Sequence, residues 1–462
     1  MTLPRIAALT VLVASLPAGR AAAETLGDAI AMAYQTNPLL LADRADLRAL
    51  DERYVQARAA FGPQASVNFQ ENYNNSTLTT PKTAATSTTP AAPMHTTHYG
   101  WIDGNGFRVT IAQPLYDGGQ LETALSTALA EVLAGRESLR EQEANVLNEV
   151  IGAYADVLLY RALLLIANQD VDILRAQMTE IEAKFAVKEV TITDRAQTQA
   201  RLIASRIGVE RARSSLRGAE ARYVAAVGQA PGALAPLPDL PGVPVTIDAA
   251  LNAADAFNPA LLAARYTEVV TRSRIAEARA SDGFQVSLSA SYGREPYTNY
   301  LKDQRLDAYE ASVTVNKPLF TSGSHASRVR QAVENDNRDA LKAVDARRQA
   351  IRTVSRAWND LVARRQLLVD QRAQLKEEEK AFKGYKIEDK LGLRSTIDVL
   401  NAEQEYQSTK VSLFQGYHDE YLTRSALLSA TTLGEPNRAR AKAILCVWPA
   451  DRPRPPQFST VS

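Results

Sequence analysis

Apolar residues recur along this chain with two different periods, and those periods sort it into helix and strand. From Gln120 to Phe185 no proline intervenes, and Leu125, Val132, Leu139, Val146, Ala153, Tyr160, Ala167, Leu174 and Ile181 stand seven residues apart. A second row four residues on, Leu129, Val150, Val157, Leu164, Val171, Met178 and Phe185, is interrupted only at Arg136 and Glu143. Heptads sustained this long predict coiled-coil packing rather than a globular core helix. At 1.5 Å per residue such a helix is about 100 Å long. The second half repeats the pattern with Val333, Ala340, Val354, Leu361, Leu368, Leu375 and Phe382, flanked by Val344, Ile351 and Trp358. Each long helix reaches a short break and returns as a shorter one, near Thr193 to Val227 and Ser395 to Thr431.

Four other segments alternate with period two: Ala65-Val67-Phe69 with Tyr73, Phe107-Val109-Ile111, Phe284-Val286-Leu288-Ala290-Tyr292, and Tyr309-Ala311-Val313-Val315. Ser, Thr, Asn, Gln, Arg and Glu fill the positions between, so one face is oily and the other polar. About 9–10 residues is the length of an outer-membrane strand. Tyr73, Tyr99, Trp101, Tyr292, Tyr297 and Tyr300 fall near the strand ends, as an interfacial aromatic girdle would. A soluble sheet with one face on a core shows the same alternation. Four strands are too few to close a barrel, which needs about eight. If they span a membrane, several protomers share one barrel.

The chain is a tandem duplication. TLGDAIAMAYQTNPLLLADR from Thr25 lies without gaps on TIDAALNAADAFNPALLAAR from Thr246, with Asn37-Pro38 on Asn258-Pro259, an offset of 221 (246 − 25). VTIAQPLYDGG from Val109 lies on VTVNKPLFTSG from Val313 at an offset of 204 (313 − 109). The first half therefore carries 17 extra residues (221 − 204), placed in the Thr/Pro/Ala-rich stretch Asn74 to His98, which reads as a long exposed loop. The expected organisation is a signal peptide over 1–23, a first repeat over 24–228, a proline-rich connector over 229–245, a second repeat over 246–434 and a disordered tail over 435–462. The signal reading rests on Arg5, the apolar run Ile6 to Leu16 and Ala21-Ala22-Ala23 before Glu24. No run of about 18 uninterrupted apolar residues points to a transmembrane helix.

Composition removes several function classes. With 53 Lys+Arg against 52 Asp+Glu over 462 residues, the chain lacks the basic excess of a nucleic-acid binder. The lone Cys446 excludes an intrachain disulfide and a cysteine zinc cluster. His95 and His98 have no HExxH glutamate, His418 reads as a surface or packing residue, and no nucleotide-binding loop occurs. Neither a catalytic constellation nor a cofactor or metal site emerges.

Polar residues gather at the two helix breaks, Lys188 to Ala200 and Leu391 to Gln404. Thr191-x-x-Asp194 and Ser395-x-x-Asp398 fit the capping box that starts a helix. In an oligomer the same aspartates would also form a ring of carboxylates that attracts cations. The two roles are compatible.

The order and duplication of these features resemble the TolC family of outer-membrane efflux and secretion channels, from Leu26 to Gly434. The residues that carry the likeness are the paired Asn-Pro helices, Gln113-Pro114-Leu115-Tyr116-x-Gly-Gly119, and the Gly392-Leu-Arg-Ser-Thr-Ile-Asp-Val-Leu-Asn-Ala-Glu403 tip. The resemblance implies a mainly α protein with a β-barrel portion: a homotrimer whose four strands per protomer form a twelve-stranded barrel in outer-membrane lipid. It further implies long helical hairpins building a periplasmic α-barrel, a periplasmic adaptor protein, and an inner-membrane ABC or proton-driven transporter that supplies the energy. It implies that Asp398 and Asn401 line the inner entrance, the latter standing where the family has a second aspartate. Arg394 matches a gating arginine, with Thr193 and Asp194 as partners on the other tip, across subunits. A tyrosine latch of the family is replaced by Asp389, with Tyr385 one turn earlier. A coiled-coil adhesin anchored by a shared barrel is the alternative class; its strands would lie at the C-terminus rather than inside each repeat.

Overall fold

A computed structural model of the chain describes residues 23–80, 93–240, 242–294 and 307–431. The helices are α1 (Leu26–Thr36), α2 (Pro38–Ala59), α3 (Gln120–Ala186), α4 (Ile192–Val227), α5 (Ile247–Phe257), α6 (Pro259–Ala280), α7 (Ser324–Lys390) and α8 (Thr396–Thr431). The strands are β1 (Gln64–Thr80), β2 (His95–Tyr116), β3 (Gln285–Arg294) and β4 (Asp307–Asn316). Each helix of one half has a counterpart of equal length in the other: 11, 22, 67 and 36 residues. α7 and α8 start 204 residues after α3 and α4 (324 − 120 and 396 − 192), the offset seen between the duplicated sequence blocks.

The Asn-Pro pairs end one helix and begin the next. Asn37 accepts the N–H groups of Leu39 and Leu40 at 3.0 and 3.2 Å, and Asn258 accepts that of Leu261 at 3.1 Å. Proline follows at the first helical position, where its missing N–H costs nothing.

The chain groups into two compact units, each drawing on both halves. One comprises the described residues of Met1–Leu41, Gln142–Ala254 and Thr353–Ser462; the other comprises those of Ala42–Glu141 and Asp255–Arg352.

In the first unit, Leu26, Ala29, Ile30 and Ala33 of α1 pack on Val150, Tyr154 and Val157 of α3 and on Ala219, Tyr223 and Val227 of α4. The second half repeats the seam, with Ala250 and Ala254 of α5 against Val354 and Leu361 of α7 and Leu427 of α8. A third cluster joins Val171, Leu174 and Met178 of α3 to Leu202 and Val209 of α4 and Leu400 of α8. Each buried Leu or Val contributes about 1.5–3 kcal/mol. One window of α3 is apolar enough to cross a membrane by composition, but its helix supplies much of the first seam. The connector is pinned despite its prolines. Glu24 N–H donates to the Ala233 carbonyl at 2.7 Å, Ala235 N–H donates to Glu24 at 2.9 Å, and the buried Tyr154 hydroxyl reaches both Glu24 and Ala235 carbonyls.

The second unit carries an antiparallel sheet in the order β1-β2-β3-β4. β3 and β4 have 10 residues each, but β1 and β2 have 17 and 22, beyond the 9–10 expected. The stretch expected as loop, 74–98, is strand as far as Thr80 and again from His95. The reason is its threonines: β-branched residues favour the pleat, and cross-strand pairs hold them, Thr77 to His98 at 2.8 Å and Thr79 to Thr96 at 3.3 Å. A register shift between Asn75 and Thr77 precedes this extension.

Candidate functional site: a two-faced sheet and the hairpin tips

Register decides which residues share a face, since directly opposed residues point the same way. Val67 opposes Val109, Phe69 opposes Phe107, Val109 opposes Tyr292, Leu288 opposes Val313, and Tyr292 opposes Tyr309. One face is thus continuously apolar across all four strands. Phe69, at 81% exposure, and Tyr309, at 80%, stand out from it unburied. The other face is polar: Ser289 meets Ser312 at 2.9 Å, and Arg108 reaches Ser291 at 3.2 Å and Glu310 at 3.8 Å.

The aromatic row is broader than the sequence suggested. Phe69–Phe107, Phe107–Tyr292 and Tyr292–Tyr309 ring centres lie 6.4, 5.8 and 4.6 Å apart, a band crossing the whole sheet. Of the expected girdle, Tyr292 belongs to this band, and Tyr73 and Trp101 are exposed on β1 and β2. Tyr297 and Tyr300 lie outside the described residues, as does the side chain of Tyr99. Phe69, Phe107 and Tyr309 were visible in the sequence only as members of the alternation; register is what aligns them.

The hairpin tips belong to the first unit. At the α3–α4 tip, Thr191 N–H and Oγ both donate to Asp194 Oδ2, at 2.9 and 2.7 Å, and Asp194 N–H returns a bond to Thr191 Oγ at 3.2 Å. At the α7–α8 tip, Ser395 and Asp398 make the same three contacts at 3.1, 2.7 and 3.4 Å. Both aspartates are therefore helix caps. The donated bonds, side chain first and backbone second, hold each carboxyl below the usual aspartate range.

Gly392 ends α7 with φ +72°, and Lys188 takes the matching place after α3 with φ +65°, a conformation that suits glycine. Arg394 Nε donates to Glu388 at 2.9 Å, and its guanidinium sits 4.9 Å from the Tyr385 ring centre. Within one chain Arg394 is thus engaged by its own tip. Thr193 is exposed beside Asp194, and Asn401 accepts Arg201 Nη2 at 3.0 Å. Asp389 pairs with Lys184 at 3.2 Å, joining the ends of α3 and α7. Burial opposes the charge on Lys184, but Glu180 and Asp389 outweigh it and raise its pKa. Lys184, Arg201 and Glu388 gave no signal in the sequence as charged residues on long helices.

A model described as outer membrane efflux protein matches residues 29–229 and 250–432, and the chain belongs to that family. Among individual proteins it is similar to the outer membrane efflux protein BepC of Brucella suis biovar 1 (strain 1330), 29% identical over 432 residues, covering 92% of this chain and 89% of that one. It is also similar to the alkaline protease secretion protein AprF of Pseudomonas aeruginosa, 26% identical over 342 residues and covering 69% and 68% of the two chains. The outer membrane protein VceC of Vibrio cholerae shares the fold, with a TM-score of 0.72, 19% identity, and 88% of this chain and 95% of that chain covered.

Proposed function

We propose that three copies of this chain close a twelve-stranded barrel in the outer membrane and continue it as a periplasmic helical duct. Substrate, whether small molecules or secreted proteins, would pass through it from an inner-membrane transporter and its periplasmic adaptor. The observation that carries this reading is the sheet. Four strands present an uncovered apolar face, and β1 and β4 are each paired on one side only among the described residues. Open edges of this kind invite pairing with another chain. Lipid would cover the apolar face, and the polar face would line water.

At the inner end, Asp194 and Asp398 would form a ring of charge, with Asn401 beside it. In the closed state Arg394 would contact Asp194 or Thr193 of a neighbouring copy, exchanging that contact for Glu388 when the tips part. Single-channel recording of the purified protein in planar bilayers tests the duct. Steady ion conductance is expected, and Arg394→Ser should raise it. Absence of conductance overturns the duct, whereas equal conductance in both proteins overturns the Arg394 contact alone.

A further inference from the structure

A cavity of about 400 Å³ opens among α3, α4 and α8, walled by apolar residues including Ile166, Leu174, Leu400 and Val411. Asp170, Glu403 and Gln407 also line it. Glu403 is 2% exposed, and neither of its carboxylate oxygens has a hydrogen-bond partner. The Gln177 amide beside it closes no bond of ordinary geometry, and Gln407 Oε1 is likewise buried without a partner. Among the described residues the cation lining the cavity is Arg201, engaged by Asn401 at 3.0 Å, and Lys386 of α7 acts on Glu403 from outside the lining, favouring its charged form. A buried, unpartnered carboxylate is expensive.

The duplication supplies an internal control. The offset of 204 that relates α3 and α4 to α7 and α8 places Gln374 where Asp170 stands and Thr409 where Ser205 stands (374 − 170, 409 − 205). There Gln374 Nε2 donates to Thr409 Oγ at 3.2 Å and to Glu378 at 2.7 Å. Glu403 itself corresponds to Gln199 (403 − 199). The α7–α8 pair thus carries a neutral residue where Asp170 stands, and by the same offset neither acid of the Asp170–Glu403 pair is an acid in the other half.

Two carboxylates, with neutral hydroxyls and amides of Ser205, Gln404, Gln407 and Ser408 among mainly apolar walls, are not the carboxylate-rich oxygen cage that a calcium ion takes. Among the described residues no group of three or more His, Cys, Asp or Glu is placed to hold a metal. An organic cation needs fewer polar contacts and uses apolar walls. We propose that this cavity binds an organic ammonium ion with an apolar body, its charge held by Glu403 and Asp170 and one N–H by the Gln407 carbonyl. The apolar side chains of Ile166, Leu174 and Leu400 receive the body. Burial first, and the charge of Asp170 second, push the Glu403 carboxyl up to about 7. A bound cation restores its ionisation, so binding at neutral pH releases a proton.

The proposal is independent of the duct, because its readout is binding to the isolated full-length protein in detergent. Isothermal titration calorimetry with benzylammonium chloride should show saturable binding, with proton release at pH 7 read from two buffers of different ionisation enthalpy. Glu403→Gln should weaken binding at least about tenfold, or 1.4 kcal/mol. Asp170→Asn, at the less buried acid, should weaken it in the same direction and serves if Glu403→Gln fails to fold. Benzyl alcohol, a neutral analogue, should not compete. Equal affinity in wild type and both variants, competition by benzyl alcohol, binding of magnesium or calcium alone, or no saturable binding would each overturn the proposal.

Discussion

His418 offers a quantitative test of how α8 is held to α3. Its ring is 12% exposed, with Nε2 at 2.9 Å from Asp156 of α3 and Nδ1 at 3.0 Å from Asp419 of its own helix. Both ring nitrogens face carboxylates, an arrangement satisfied only when both carry protons. Arg222 of α4 lies 3.2 Å from Asp156, and Arg364 of α7 pairs with Asp419. Burial opposes the imidazolium, but the bonds to Asp156 and Asp419 outweigh it, so the His418 pKa stands above its ordinary value. His418→Phe keeps a ring of similar size and removes both bonds. Charge-assisted bonds contribute about 1.5–3 kcal/mol each. The two arginines still hold the carboxylates, so the net loss should be about 2–3 kcal/mol rather than the full sum.

The sign follows from linkage. A raised folded pKa gives stability that is complete below the unfolded value of about 6.5 and is lost as pH rises through the folded value. Denaturant unfolding of both proteins in detergent, followed by far-UV circular dichroism across a pH series, reads the difference. The gap between wild type and His418→Phe should be widest on the acid side and shrink on the alkaline side. A gap that is flat or grows with pH would refute the charged-ring assignment.

Other perturbations follow from the tips. Lys188→Gly, at φ +65°, should stabilise the protein by about 1 kcal/mol, seen as a higher Tm, because glycine adopts that conformation without strain. A double-mutant cycle on Lys184→Ala and Asp389→Ala should give a coupling of about 1 kcal/mol in denaturant unfolding, and zero coupling would remove their 3.2 Å pair as a tie between α3 and α7. Exchanging Phe69 or Tyr309 for Arg should cost about 2–4 kcal/mol if the position sits at mid-membrane and far less near the interface. Folding into vesicles of defined composition checks this.

What could be read from the sequence was local or periodic. Heptads placed the long helix at Gln120 to Phe185, and the structure ends it at Ala186. The capping boxes were legible because Thr191 and Asp194, or Ser395 and Asp398, lie three residues apart. The strand extensions through Thr80 and from His95 were not, since a run of threonine, serine and asparagine carries no alternation. Lys184 and Asp389 are 205 residues apart, and Arg201 and Asn401 are 200 apart, so only the fold introduces them. Glu403 entered the sequence reading only as the last residue of the second tip motif, and α3 and α4 are what enclose it. His418 was read as a surface or packing residue, and the carboxylate across from it comes from 262 residues away.

The central claim is that one chain supplies only part of a barrel that copies of it complete. Native mass spectrometry of the full-length protein released from detergent micelles tests it directly. A dominant species at three times the mass of one chain is predicted. A folded species at the mass of one chain, with no higher assembly, would contradict the account.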